Sequence, residues 1–178
     1  MAYKLFKYQA LGNDMLVIDP AQFELVLTPA RVRLLCDRHF GIGADGICYG
    51  PLLAEPGPNA MRFLNPDGSE AEKSGNGLRI FARYLWDSGT VNGRSYLITI
   101  QNQPIQAEVL DDTAHTIALE MGKVTFSRIE EEMDVDGEDV LITAVSAVTT
   151  NCTIPSLYGG RSKTGQLTML PFKLPPLT

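Results

Sequence analysis

The sequence predicts an α+β domain in which an antiparallel sheet curls around a central helix. Three observations lead there. Eight short segments rich in apolar, β-branched and aromatic residues lie between turn formers, only two stretches carry helix signals, and one of those two is apolar on more than one face. A helix of that kind has to be wrapped by other elements.

Taken in order, Leu5–Leu11 and Met15–Asp19 read as strands joined through Gly12-Asn13-Asp14. A helix is announced by Thr28 as N-cap with Pro29 at the first helical position, and it runs through Arg38 toward the glycines at 41 and 43. Strands follow at Gly46–Tyr49 and Ala60–Leu64. The second helix starts after Ser74 and stops near Gly89, with Leu78, Ile80, Phe81, Ala82, Tyr84, Leu85 and Trp86 spread around it. Tyr96–Gln101, Ile105–Leu110, Thr116–Met121 and Val140–Ser146 complete the strands. The acidic run Glu130–Asp139 breaks the strand pattern and is expected as a solvated loop. From Ser156 to Thr178 there is no acidic residue, while Arg161, Lys163, Lys173 and prolines at 171, 175 and 176 follow no period, so no element is assigned.

Composition narrows the function classes. A chain of 178 residues, 44% hydrophobic, can bury one domain, or one domain and part of another. A net charge of -6 offers no footprint for nucleic acid or an anionic membrane, which leaves small-molecule or protein partners. No apolar run reaches the roughly 20 residues that span a bilayer. Met1-Ala2-Tyr3-Lys4 leads into a strand rather than a signal peptide, so a soluble cytoplasmic protein is expected. Cys36, Cys48 and Cys152 are too few and too scattered for a disulfide framework or zinc cluster, and buried reduced thiols are the expectation, with no metal site. Gly41-Ile42-Gly43-Ala44-Asp45-Gly46 matches G-x-G-x-x-G but follows a helix and precedes a strand, the reverse of dinucleotide-binding order. His39 and His115 lack relay or metal spacing. Asn151-Cys152-Thr153 fits a glycosylation sequon, moot without a secretion signal.

The most informative stretch is Asn65-Pro66-Asp67-Gly68-Ser69 through Ser74-Gly75-Asn76-Gly77, running straight into the apolar helix. A helix's first turn carries unpartnered N–H groups and the positive end of its dipole, which suit a carboxylate or phosphate. The plainer alternative is a capped core helix with Ser74 as N-cap and the glycines there for the turn.

Leu11-Gly12-Asn13-Asp14, the block Cys36–Gly46, and Arg62–Glu72 followed by Ser74-Gly75-Asn76-Gly77 together resemble diaminopimelate epimerase. The resemblance implies two similar lobes, each a curled antiparallel sheet around a central helix, with substrate in the cleft between them. It covers about residues 3 to 155, which implies a first lobe at 1–125, the start of a second at 126–155, and a tail of unassigned structure at 156–178. The activity it implies is an isomerase of lysine and cell-wall precursor synthesis, inverting one α-carbon of diaminopimelate without pyridoxal phosphate or metal. Carried over by position, Asn13 and Asn65 would bond the distal amino and carboxyl groups. Gly75 and Asn76 would donate backbone N–H groups to the reacting carboxylate, which becomes enolate-like.

The departures matter as much. The family uses a cysteine pair as base and acid, the first immediately before Gly-Asn-Gly, where this chain has Ser74. Nothing here matches the glycine- and threonine-rich turn that carries the second. In the family's Gly-Asn-Pro-His-Cys segment a substrate-binding asparagine falls at Thr149 of this chain. The resemblance therefore implies weak or absent epimerisation, the pattern of a truncated or frameshifted product, with a non-catalytic amino-acid binder or a degenerate fragment as alternatives. A second copy of the chain is a candidate partner as a homodimer.

Overall fold

The computed structural model describes residues 5–22, 26–122, 124–135, 137–147, 151–155 and 171–173. The chain divides into two compact units, residues 1–120 with 167–178, and residues 121–166.

In the first unit, β1 (Phe6–Ala10) and β2 (Asn13–Ile18) form a hairpin with Tyr8 opposite Met15. Leu11 (φ 53°) and Gly12 (φ 82°) turn it with positive φ at both positions, the geometry that matches strand twist. Helix α1 (Pro29–Cys36) starts where Thr28 caps Arg31 N with Pro29 beside it. Then come β3 (Ile47–Tyr49), β4 (Ala60–Leu64), β5 (Glu70–Ala71), α2 (Gly75–Asp87), β6 (Ser95–Ile100), β7 (Gln103–Val109) and β8 (Ile117–Leu119). The stretch to which the sequence assigns no element contributes β12 (Pro171–Lys173), an edge strand antiparallel to β1.

These strands make one sheet in the order β12-β1-β2-β3-β4-β6-β7-β8, with β5 paired to β4. The α+β class is as the sequence predicts, but the sheet is mixed rather than wholly antiparallel, because β2 and β3 run parallel, as do β4 and β6. The reason is topological. A parallel pair needs a crossover between its strands, and α1 and α2 are those crossovers.

Each helix covers a different face of β2. Leu16 and Ile18 join Val32 and Cys36 of α1, with Ile47 and Leu64, in one buried cluster. Alternation sends Met15 and Val17 to the opposite face, with Phe6, whose ring centroid lies 5.0 Å from that of Tyr84 on α2. Four successive β2 residues are buried in consequence. Helix α2 buries eight residues, Gly77, Leu78, Arg79, Ile80, Phe81, Ala82, Tyr84 and Leu85. Its hydroxyls and carboxylates tie it to the sheet. Tyr84 donates to Asp19 Oδ2 (2.7 Å), Tyr8 donates to Asp87 Oδ2 (3.2 Å), and Tyr96 donates to the Ala82 carbonyl (2.8 Å).

The second unit is a three-stranded antiparallel sheet in the order β11-β10-β9, from β9 (Val124–Val135), β10 (Glu138–Ala147) and β11 (Asn151–Pro155). The expected solvated loop at 130–139 is thus corrected to a hairpin. Charge misleads here, since Glu132, Asp134, Glu138 and Asp139 are exposed, so acidic side chains are tolerated on strands. Gly137 turns the chain at φ 87°, its N–H donating to Asp134 Oδ1 (3.2 Å). Among the described residues no helix is long and apolar enough to cross a membrane.

If α2 is the core, Phe81→Ala, at a fully buried position, should lower unfolding stability by about 3–5 kcal/mol. Urea denaturation of the two proteins measures this, and a loss below about 1 kcal/mol would contradict the placement.

Candidate functional site

The site is built from the end of β4 to the first turn of α2. After Leu64 the chain turns tightly, with Gly68 N donating to the Asn65 carbonyl (2.9 Å) and Asn65 N to that of Ser69 (2.8 Å). Asn65 Nδ2 donates to Ser69 Oγ (2.9 Å), so this amide serves its own turn. Ser74 is extended (φ -134°, ψ 115°) and caps α2, its Oγ accepting from Gly77 N at 3.0 Å and its carbonyl from Leu78 N at 2.8 Å. That leaves the amides of Gly75 and Asn76 at the positive end of the helix without an intrahelical acceptor.

Small residues are needed for this arrangement. A Cβ on Gly77 would lie 2.9 Å from the Phe63 ring and 3.2 Å from Ser74 Cβ. Gly75, by contrast, opens toward Arg79. A Cβ there would have Arg79 Nη1 as its nearest neighbour outside the local backbone, at 3.6 Å. A helical side chain leans toward the N-terminus, so Arg79, four residues on, brings its guanidinium back over the helix mouth. Arg79 is buried, and burial pulls its pKa down. Beneath the first turn, Cys48 Sγ donates to the Gly77 carbonyl at 3.4 Å. Cys36 and Cys48 are free and buried, and burial pushes both thiols up, which makes them unreactive at neutral pH.

A polar network stands beside the mouth. Asn76 Nδ2 donates to Asn13 Oδ1 (3.4 Å), and Asn13 Nδ2 donates to Asp45 Oδ2 (2.8 Å). Asp14 N donates to the same Asp45 oxygen (3.1 Å) while Asp45 N donates to the Asp14 carbonyl (2.7 Å). Arg38 bonds both Asp14 carboxylate oxygens (2.6 and 3.1 Å) and Asp45 Oδ1 (2.6 Å), and Lys7 Nζ pairs with Asp14 at 3.0 Å. First Arg38 and then Lys7 hold the Asp14 carboxyl well below the usual carboxylate range, against an opposing effect of burial. One atom is left over. Among the described residues Asn76 Oδ1 is buried without a hydrogen-bond partner, which costs about 1–3 kcal/mol.

Of the residues singled out from sequence, Ser74, Gly75, Asn76 and Asn13 meet at one place, whereas the Asn65 amide is turned to Ser69. Thr149 lies outside the described residues. Asp45, Arg38 and Arg79 were not singled out. Asp45 was hidden inside the glycine motif, whose amides fold back on α1: Gly41 N donates to the Asp37 carbonyl, and Ile42 and Gly43 N to that of Leu35. Those amides are therefore occupied. His39 and His115 are both exposed, and His115 Nδ1 shares a hydrogen bond with Thr113 Oγ1.

The fold recurs among solved structures. It is shared with a phenazine biosynthesis protein of the PhzF family from Bacillus anthracis (TM-score 0.58, 16% identity, 87% of this chain and 56% of that one). A probable proline racemase from Agrobacterium radiobacter K84 is similarly alike (TM-score 0.59, 14% identity, 81% and 49%). At those identities the likeness is one of fold alone. The family follows from sequence. A family model described as diaminopimelate epimerase matches residues 5–127. Diaminopimelate epimerase 2 of Nostoc sp. is 48% identical over 136 residues, covering 76% of this chain and 47% of the relative. Diaminopimelate epimerase of Aromatoleum aromaticum is 36% identical over 156 residues, covering 82% and 56%. The chain belongs to the diaminopimelate epimerase family, and it spans about half the length of these curated relatives.

Two outcomes follow from this geometry. Gly77→Ala, which in an open helix would stabilise, should here cost about 1–3 kcal/mol through overpacking against Phe63, and a thermal melt at or above wild type would contradict the close contact. A carboxyl depressed in the folded state adds stability that is fully present above its unfolded pKa, near 4, declines below that value, and is lost only as pH falls through the still lower folded pKa. The melting gap between wild type and Asp14→Asn should therefore be full at pH 7 and narrower, though not closed, at pH 3. A constant gap across that range would show that Asp14 is not held by its cations.

Proposed function

We propose that the mouth of α2 is the carboxylate-holding part of a diaminopimelate epimerase-type site, acting on diaminopimelate by cofactor-independent proton transfer, and that Ser74 leaves it weak or inactive. The first turn of α2 is the observation that carries this. Ser74 Oγ is committed to Gly77 N, while the amides of Gly75 and Asn76 have no intrahelical acceptor and a Cβ on Gly75 would meet Arg79 Nη1 at 3.6 Å. Two such donors and a nearby cation favour a carboxylate, and favour it more as charge moves onto it when the α-proton leaves.

The weak step is removal of that proton. A thiol ionises near pH 8.5, and a helix N-terminus lowers this further, whereas a serine hydroxyl needs a neighbouring base. Among the described residues no imidazole or carboxylate bonds Ser74 Oγ. Asn13, beside Asn76, is assigned to a substrate amino group and Asn65 to the distal end of the substrate. The proposal extends to a small amino-acid substrate, with no nucleic-acid or membrane partner, to a cytoplasmic setting for lysine synthesis, and to a homodimer. Commitment of Ser74 Oγ to capping also favours a second reading, a binder that holds the amino acid without turning it over.

Solvent deuterium incorporation at the α-carbon of LL- and meso-diaminopimelate, read by mass spectrometry beside thermal unfolding with ligand, tests this. The chain should show little or no incorporation over a protein-free control, yet be stabilised by diaminopimelate, by about 2.7 kcal/mol at a hundredfold excess over Kd. Ser74→Cys should raise incorporation. Brisk incorporation by the unchanged chain would overturn its assignment as weak. Stabilisation without any gain from Ser74→Cys would favour the binder, and absence of stabilisation would sink the site itself.

A further inference from the structure

Asp45 reaches the helix mouth through one side chain, that of Asn13. An ionised carboxylate only accepts hydrogen bonds, so the Asn13 atom that faces Asp45 Oδ2 at 2.8 Å is the amide nitrogen. This settles which way the amide points. Asn13 Oδ1 is turned to Asn76, and Asn76 must then present its own nitrogen, at 3.4 Å. The consequence is the orphan: among the described residues Asn76 Oδ1 is buried and unpartnered, in the first turn of the helix whose first amides have no intrahelical acceptor. Asp45 is itself held rigidly, by Arg38 at Oδ1 (2.6 Å) and by Asp14 N at Oδ2 (3.1 Å).

We infer that Asp45 is a positioning residue that sets the polarity of both asparagine amides, so that the mouth of α2 offers an acceptor, Asn76 Oδ1, beside the carboxylate-holding amides of Gly75 and Asn76. A ligand that fits carries an N–H donor next to a carboxylate: an α-amino acid rather than the corresponding acid without an amino group. This rests on the reading of the α2 mouth as a carboxylate site. An amide at position 45 has no such polarity, because it can donate to Asn13 Oδ1 as well as accept from Nδ2, and both asparagines are then free to turn over.

The test has a ligand-free arm and a ligand arm. In nitrogen-15 NMR of the full chain, the Asn13 side-chain amide pair, identified by its loss in Asn13→Ala, should shift and exchange faster with solvent in Asp45→Asn. In calorimetry, Asp45→Asn should weaken diaminopimelate about tenfold and leave pimelate, which has the same carbon chain and two carboxylates but no amino group, unchanged. The double substitution Asn13→Asp with Asp45→Asn restores one donor facing one acceptor, and should recover the preference for diaminopimelate. Unchanged Asn13 resonances, or an unchanged ratio of the two affinities, would overturn the role of Asp45. If the unaltered chain binds neither ligand, the carboxylate site fails, and the Asn13 resonances alone decide the positioning role. Should Asp45→Asn not fold, Asp45→Glu, which keeps the charge but displaces the carboxylate, is measured in the same way and should also shift the Asn13 pair.

Discussion

Enclosure of α2 is the constraint on which the rest depends. Eight of its residues are buried, and the sheet reaches around it from β1, β2 and β3 to β8. A helix packed on so many sides can meet solvent polarity only at its ends. Its C-terminal end is closed by ordinary means, with Ser88 N and Gly89 N donating to the Tyr84 and Trp86 carbonyls. The N-terminal end is closed only in part, because the Ser74 side chain answers one amide while Gly75 and Asn76 stay open. The absence of a Cβ at Gly77 lets Phe63 pack against that first turn. The openness of the site and the tightness of the core thus come from the same few residues.

Electrostatics around the mouth follow a different logic from the helix itself. Lys7, Asp14, Arg38 and Asp45 place two cations against two carboxylates, so the cluster adds little net field of its own. Exposed pairs of this sort are weak sources of stability, and Arg38 is largely exposed. Their geometric effect is larger. Three hydrogen bonds converge on the Asp45 carboxylate, from Asn13, Asp14 N and Arg38, and together they join the β1–β2 hairpin to the segment entering β3. The positive end of the α2 dipole faces Gly75, and Arg79 Nη1 would lie 3.6 Å from a Cβ placed there.

Legibility in the sequence followed the physics of each element. Periodicity and caps were decisive where a single face is buried or a terminus is marked, as at Thr28-Pro29 and Ser74, and both helices begin there. Strand direction was not legible. Whether two strands run parallel depends on which side the crossover passes, and nothing in the composition of β2 or β4 encodes it. The acidic hairpin is not legible from charge, because charge on an exposed strand costs little and a run of acidic residues suits a solvated loop and an exposed strand alike. In the site, glycines and asparagines stood out as types with few roles, and the family motif gathered them. Asp45 and Arg79 did not, because their importance lies in contacts: one faces an amide 32 positions away, the other leans back one helical turn.

Position 74 sets two demands against each other. A helix start buried against Phe63 gains from a hydroxyl, which accepts the Gly77 amide in good geometry, and losing such a cap costs about 0.5–2 kcal/mol. Sulfur is a weak acceptor and a poor cap. Proton abstraction from an α-carbon asks the opposite, a group that ionises near neutral pH and that the helix dipole can hold as an anion. A serine there meets the first demand and fails the second. In the proposed site the atom that caps the helix is therefore the one whose chemistry is least suited to the reaction, and the ligand-facing polarity, set by Gly75, Asn76 and Asn13, does not depend on that atom.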